Sequence, residues 1–176
     1  MGTLTKVVWL LIWLMSHLGY AQEDELILWT PERKLSWSDF KGRPSGISSA
    51  AAITASGISY SFSAQGTKDA MELDFKVDTY FYPDKSWYKS KLANPIILGH
   101  EQLHFDISEV FARKLRQILA RTKFTNNAKA EVKEIYRNVL RELNDYQNQY
   151  DSETNFSRDT VQQLIWNKKI GKALNN

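Results

Sequence analysis

The hydrophobic period of this chain changes once, at Asn94-Pro95, and that change leaves few architectures open to it. Ahead of it, Ile58, Tyr60 and Phe62 alternate with Ser59, Ser61 and Ser63, and Met71, Leu73, Phe75 and Val77 alternate with Glu72, Asp74, Lys76 and Asp78. Alternation at period two marks a half-buried strand. With Gln65 to Asp69 as the turn, the two runs predict an antiparallel hairpin, its second strand continuing through Tyr80-Phe81-Tyr82 until Pro83-Asp84 stops it. Beyond Pro95 the apolar residues recur at three and four. Ile97, Leu103, Ile107, Val110, Phe111, Leu115 and Ile118 predict one long helix from about Pro95 to Ala120, with Asn94 as its cap and proline at its first position. A second helix is expected from about Ala128 to Tyr150. After a break over Asp151 to Asn155, a third is expected from Arg158 to Leu174, capped by Ser157, with Val161, Leu164, Ile165, Trp166 and Ile170 facing in. Strands first and helices after make an α+β fold: a small antiparallel sheet in the N-terminal half packed on two to three long helices in the C-terminal half.

Weaker signals precede the hairpin. Leu26 to Trp29 suits a short strand, Trp37 and Phe40 share one helical turn as core anchors, and the small residues of Ser45 to Ala55 suit a loop. Ser86-Trp87-Tyr88 is an aromatic knot ahead of the long helix.

The first 21 residues read as a secretory signal. Lys6 gives a positive start, Val7 to Leu14 is unbroken and apolar, and Gly19-Tyr20-Ala21 offers small residues for cleavage before Gln22. The run falls short of the ~20 apolar residues that a spanning helix needs, so an uncleaved anchor is the runner-up and no stable span is expected after cleavage. Residues 22–176 then form a single exported domain, periplasmic or extracellular. The chain has no cysteine, which excludes disulfides and a lipidated cysteine, so the core alone must hold the domain. The net charge of +3 is dispersed. Its local clusters, at Arg113, Lys114 and Arg116 and at Lys168, Lys169 and Lys172, fall on expected helices as solvated faces, so no nucleic-acid partner is expected.

The chemistry concentrates in His100-Glu101-Gln102-Leu103-His104. On a helix, residues four apart stack on one face, so the two imidazoles can converge on one ion, with Glu101 beside them. Neutral imidazole suits Zn²⁺, and H-E-x-x-H on a helix is a zinc-hydrolase pattern; the competing reading is a polar face with two solvated histidines. His17, the third histidine, lies in the expected signal, so the mature chain has no other histidine and no cysteine. If the site is complete, its third ligand should then be a carboxylate. Val110 stands where one class of zinc proteases has its third histidine, which excludes that class, and Glu109 points roughly 140° away from His104 in helical projection. Asp151 is favoured, over Glu153 beside it and Glu142 and Asp145 inside the second helix; it could equally cap a turn. Glu101 would act as general base toward a zinc-activated water, and Tyr150 would either donate to an oxyanion or serve as a core aromatic. Asp106 and Gln102 would face solvent or support the ligands. Gly99, directly before His100, would admit a closely packed neighbour or be merely tolerated.

Together Phe40-Lys41-Gly42-Arg43-Pro44, Ala50-Ala51-Ala52-Ile53-Thr54, Leu98 through Ile107 around the pentad, and Tyr150-Asp151-Ser152-Glu153-Thr154 resemble the bacterial domain of unknown function 922 family. The resemblance covers most of the mature chain. It implies a zincin-like fold and a secreted zinc-dependent protease acting on peptides or proteins. The family pattern commonly has a histidine two residues after that threonine, where this chain has Phe156. If that histidine is the family's ligand, this chain would bind zinc weakly or use Asp151 or Glu153 instead, and a catalytically silent zincin-like binding module of the cell envelope is the alternative; if Asp151 is the family's ligand, nothing is lost. Oligomeric state is not readable from the sequence.

Overall fold

The computed structural model describes residues 25–44, 46–67 and 70–175. The expected signal, 1–21, lies outside the described residues, as do residues 68 and 69 of the expected turn. No helix among the described residues is long and apolar enough to cross a membrane.

The fold is α+β, as the change of period implies. Strand β1 (Ile27–Leu28) pairs antiparallel with β4 (Ala70–Phe81), which pairs antiparallel with β3 (Ser56–Thr67), giving the order β1-β4-β3. Register in the hairpin runs unbroken from Ser56 opposite Phe81 to Thr67 opposite Ala70. Both strands outrun the alternation: Gln65, Gly66 and Thr67, expected in the turn, are paired. Gly66 makes this possible, since its φ is +144° and a Cβ there would lie 2.3 Å from the Ala70 carbonyl oxygen. The expected loop from Ser45 to Ala55 contains a short strand, β2 (Ala52–Ile53), paired antiparallel with β5 (Trp87–Tyr88). Alternation cannot reveal strands of two residues.

Helix α1 (Pro95–Arg121) begins as the sequence predicts, with Asn94 Oδ1 accepting from the backbone of Ile96 and Ile97 at 2.9 and 3.0 Å. It is the element that touches both the hairpin and the other two helices, α2 (Ala128–Glu153) and α3 (Thr160–Asn175). The main core joins Ile58 and Val77 of the hairpin to Leu103, Ile107, Phe111 and Leu115 of α1, Val132 and Val139 of α2, and Trp166 and Ile170 of α3. A second cluster gathers Leu35, Phe40, Phe81 and Phe105. There the aromatic knot meets the Trp37–Asp39 3-10 turn: Trp37 stacks on Tyr88 at 4.6 Å between ring centroids, and Phe40 meets Phe81 edge-on at 5.1 Å. The expected role of Trp37 and Phe40 as core anchors holds.

The C-terminal corner departs from expectation. Helix α2 does not end at Tyr150 but continues through Asp151 to Glu153. Asn155, Phe156 and Ser157 then take left-handed φ values of 47°, 53° and 71°. For side chains of L chirality this costs about 1–2 kcal/mol per residue. The turn is held by backbone bonds from Phe156 N to Asp151 O and from Asp159 N to Thr154 O, both 2.9 Å. Asp159, not Ser157, caps α3, its Oδ1 accepting from Val161 N and Gln162 N. The inward face of α3 carries Gln163, Trp166 and Ile170, whereas Val161, Leu164 and Ile165 are exposed. That rotation brings Gln163 against α1 and leaves the three aliphatic residues outside.

A buried ionic cluster ties α1 to the sheet. Glu109 accepts from the Thr79 hydroxyl and from Arg116, both at 2.8 Å, and from Arg113 at 3.2 Å, while Arg116 also donates to the Val77 carbonyl. Glu109→Ala should lower the unfolding free energy by about 2–3 kcal/mol, seen as a shifted urea midpoint at unchanged slope. A loss within about 0.5 kcal/mol, the range of ordinary surface substitutions, would show that the cluster does not hold the helix to the sheet.

Candidate metal centre

The pentad occupies the second and third turns of α1, where the helix is buried on both sides of its polar face. His100 and His104 stand one turn apart with rings nearly perpendicular and Nε2 atoms 3.3 Å from each other. Asp151, on the last turn of α2, brings Oδ1 to 3.0 Å from His100 Nε2 and 2.9 Å from His104 Nε2. Two nitrogens and one carboxylate oxygen thus form a small triangle. A tetrahedral ion with ligand distances of about 2.0–2.1 Å requires ligand atoms about 3.3 Å from one another. The three sides of this triangle, at 2.9, 3.0 and 3.3 Å, lie at or a little inside that separation.

The partners of His100 fix its tautomer. His100 Nδ1 lies 3.0 Å from Gln163 Oε1, and the Gln163 amide nitrogen is committed to Asn167 Oδ1 at 2.9 Å. Gln163 therefore presents its oxygen as an acceptor, His100 carries its proton on Nδ1, and the lone pair of Nε2 faces the triangle. A lone pair set 3.0 Å from a carboxylate oxygen calls for a cation or a proton between them. The surroundings supply that demand throughout. Burial alone would raise the Asp151 carboxyl, but its close contacts with the His100 and His104 imidazoles outweigh it and hold the group well below the usual carboxylate range. Burial opposes a charge on His104, but the Asp151 hydrogen bond and the nearby Glu101 and Asp151 charges overcome it and raise its pKa.

The triangle faces a cleft of about 620 Å³. Glu101 lines this cleft beside the histidines, and among the described residues its carboxylate has no hydrogen-bond partner, while its backbone carbonyl accepts from the Thr54 hydroxyl at 3.2 Å. Tyr150 does not line it. One residue along the helix from Asp151, it turns about 100° away and sits behind the imidazoles, fully buried. Its ring stacks on His100 at 4.5 Å and meets His104 edge-on at 4.9 Å. Its hydroxyl lies 2.9 Å from Gln163 Oε1 and 3.2 Å from the His100 carbonyl, two acceptors for one proton. Burial pushes this phenol well above its usual range. Of the two roles expected for Tyr150, its placement is that of a core aromatic packed on both rings.

The other acidic candidates are elsewhere. Glu153 accepts from the Trp166 indole at 2.8 Å and clamps α2 to α3, Glu142 pairs with Lys114, and Asp145 is exposed. Asp106 is buried, accepting from the Trp29 indole at 2.8 Å and from Gln102 at 2.9 Å, and Gln102 Oε1 accepts from the Leu35 backbone at 2.7 Å, so both residues bind the N-terminal segment. Gly99 has no neighbour pressed against it: a Cβ there would meet nothing within 4 Å. Sequence reasoning missed Gln163, Gln147 and Arg158. Gln147 lines the cleft and donates to Ser108 Oγ at 3.2 Å. A glutamine in a run as polar as Gln162-Gln163 or Gln147-Asn148 gives no sign that it faces inward.

No curated protein and no solved structure matches the chain. The family model described as "Bacterial protein of unknown function (DUF922)" matches residues 44–158, which span more than half of the chain and contain the histidine pair, Glu101 and Asp151, and the chain belongs to that family.

Proposed function

We propose that this protein is an exported zinc-dependent peptidase, with His100, His104 and Asp151 as the metal ligands and Glu101 as the general base. The observation that carries the reading is the triangle of two Nε2 atoms and one Oδ1, with sides near those of a tetrahedral zinc site, open on a cleft. Zinc held there supplies a Lewis acid for a carbonyl oxygen and brings the pKa of a bound water toward about 7.

The remaining work falls to the chain itself. The Glu101 carboxylate, unpartnered and beside the triangle, takes a proton from water at the cleft floor and returns it to the departing amine of a peptide. Gln163 keeps His100 in the tautomer that ligates, and Tyr150 holds both rings by stacking and by its bond to Gln163. Asp151 supplies the third ligating atom, so the phenylalanine at position 156 leaves the ligand set complete. Export rests on the signal read in residues 1–21, and the zincin-like fold on the family resemblance.

Purified protein should bind one zinc ion per chain by elemental analysis, and His104→Ala should lose it. A metal-free wild type after zinc loading would instead identify a silent binding module. Gln163→Leu should weaken zinc binding by about 10–100-fold without changing the ligands, measured by competition with a chromophoric chelator. Glu101→Gln should retain zinc and cut peptide hydrolysis by about 10²–10⁴-fold. Turnover equal to that of the wild type would remove Glu101 from the mechanism.

A further inference from the structure

We infer that Arg158 makes this cleft selective for peptides that present a carboxylate beside the bond to be cut. This rests on the peptidase reading of the cleft and adds a substrate class to it. Three observations converge on Arg158. First, Phe156, Ser157 and Arg158 line the same cleft as Glu101 and Asp151. Second, the turn that delivers them is built in an unfavourable conformation. Asn155, Phe156 and Ser157 are successive left-handed residues, none of them glycine. Backbone strain of this kind persists where the surrounding structure imposes it, and it gathers at ligand sites. Here it is imposed from both ends: Phe156 N bonds to the carbonyl of Asp151 at 2.9 Å, and the buried Thr154 hydroxyl bonds to the Tyr150 carbonyl at 2.7 Å. The turn is thereby fixed to the residue that completes the metal triangle. Phe156 itself is 60% exposed at the rim, so core packing does not account for the geometry.

Third, Arg158 is the one lysine or arginine lining the cleft among the described residues. No carboxylate among them lies within 4 Å of its guanidinium, and its recorded bond is a 3.3 Å contact to the Asn155 carbonyl. The 48–54 stretch of the lining is built of serine, alanine, isoleucine and threonine and offers no charge. A guanidinium left free in such a cleft matches a planar carboxylate, which it can hold through two parallel hydrogen bonds. The carboxylate can belong to an aspartate or glutamate side chain or to the C-terminus of the peptide.

The test uses the full-length exported protein, zinc-loaded, as Glu101→Gln for binding and with Glu101 intact for cleavage. The probes are peptides of one sequence carrying Glu, Gln or Lys at each position in turn, with free or amidated C-termini. Binding should favour a carboxylate by about tenfold or more over its neutral counterpart. The peptide arms tell which source is read: preference for Glu over Gln marks a side chain, preference for the free over the amidated end marks the terminus. Arg158→Gln should remove the discrimination, and Arg158→Glu should turn it toward Lys-bearing peptides, a gain that a misfolded variant cannot give. Cleavage without any carboxylate preference, or a preference that survives Arg158→Gln, would overturn the inference while leaving the peptidase standing. A preference lost in Arg158→Gln, with no cleavage by the unsubstituted protein, would uphold carboxylate recognition and remove the peptidase.

Discussion

A helix buried along half its length can carry His100, Glu101, His104, Asp106, Ser108 and Glu109 only if each polar group finds a partner or opens onto water. That constraint organises the molecule. Among the described residues no fully buried side-chain nitrogen or oxygen is left without a hydrogen bond. The partners come from every other part of the chain: Trp29 of the N-terminal segment for Asp106, Ser56 of β3 for Ser108, Thr79 of β4 for Glu109, Asp151 of α2 for the histidines, and Gln163 of α3 for His100. Apolar packing supplies the larger part of the stability, but apolar packing does not fix a rotation or a register. The polar pairs do so, and they converge on the first four turns of α1.

How much of this was legible follows from where the information lies. The position and face of α1 are local properties. Asn94-Pro95 fixes its start, and spacing alone puts His100, His104 and Glu101 together. A carboxylate beside the histidines was reachable by elimination, because the described residues hold no other histidine and no cysteine, and Asp151 was the favoured one. Its setting was misread all the same. Asp-Ser-Glu reads as a helix end because short polar side chains compete for the backbone. Here the Asp151 side chain is engaged by two imidazoles and is not free to compete, so α2 continues past it.

The placement of Tyr150 and the inward face of α3 both turn on rotation about a helix axis. Adjacent residues point about 100° apart, so once Asp151 faces the cleft, Tyr150 must face the core. On α3, counting apolar residues favours Val161, Leu164 and Ile165 as the inward stripe. The observed face instead includes Gln163, because one hydrogen bond from a buried imidazole and one from a buried phenol outweigh the burial of half-exposed aliphatic side chains. That preference is a property of a tertiary contact across 63 residues and leaves no local trace in the sequence.

The corner between α2 and α3 shows how the same residues serve the fold and the site. Glu153 receives the Trp166 indole, and Trp166 in turn packs against Tyr150 at 5.2 Å. This clamp sets the angle at which α3 returns across α1 and therefore where Gln163 meets His100. A relaxed connection of ordinary turn conformation would also join two helices, but it would not hold Asp151, Gln163 and the 156–158 rim in one relative position. Three left-handed residues are an unfavourable way to turn a chain, and the stability they forgo is offset by the core that Tyr150, Trp166 and Ile170 build directly beneath them. The strain and the triangle are thus parts of one arrangement: the backbone that bends unfavourably is the backbone that keeps the Asp151 carboxylate in place.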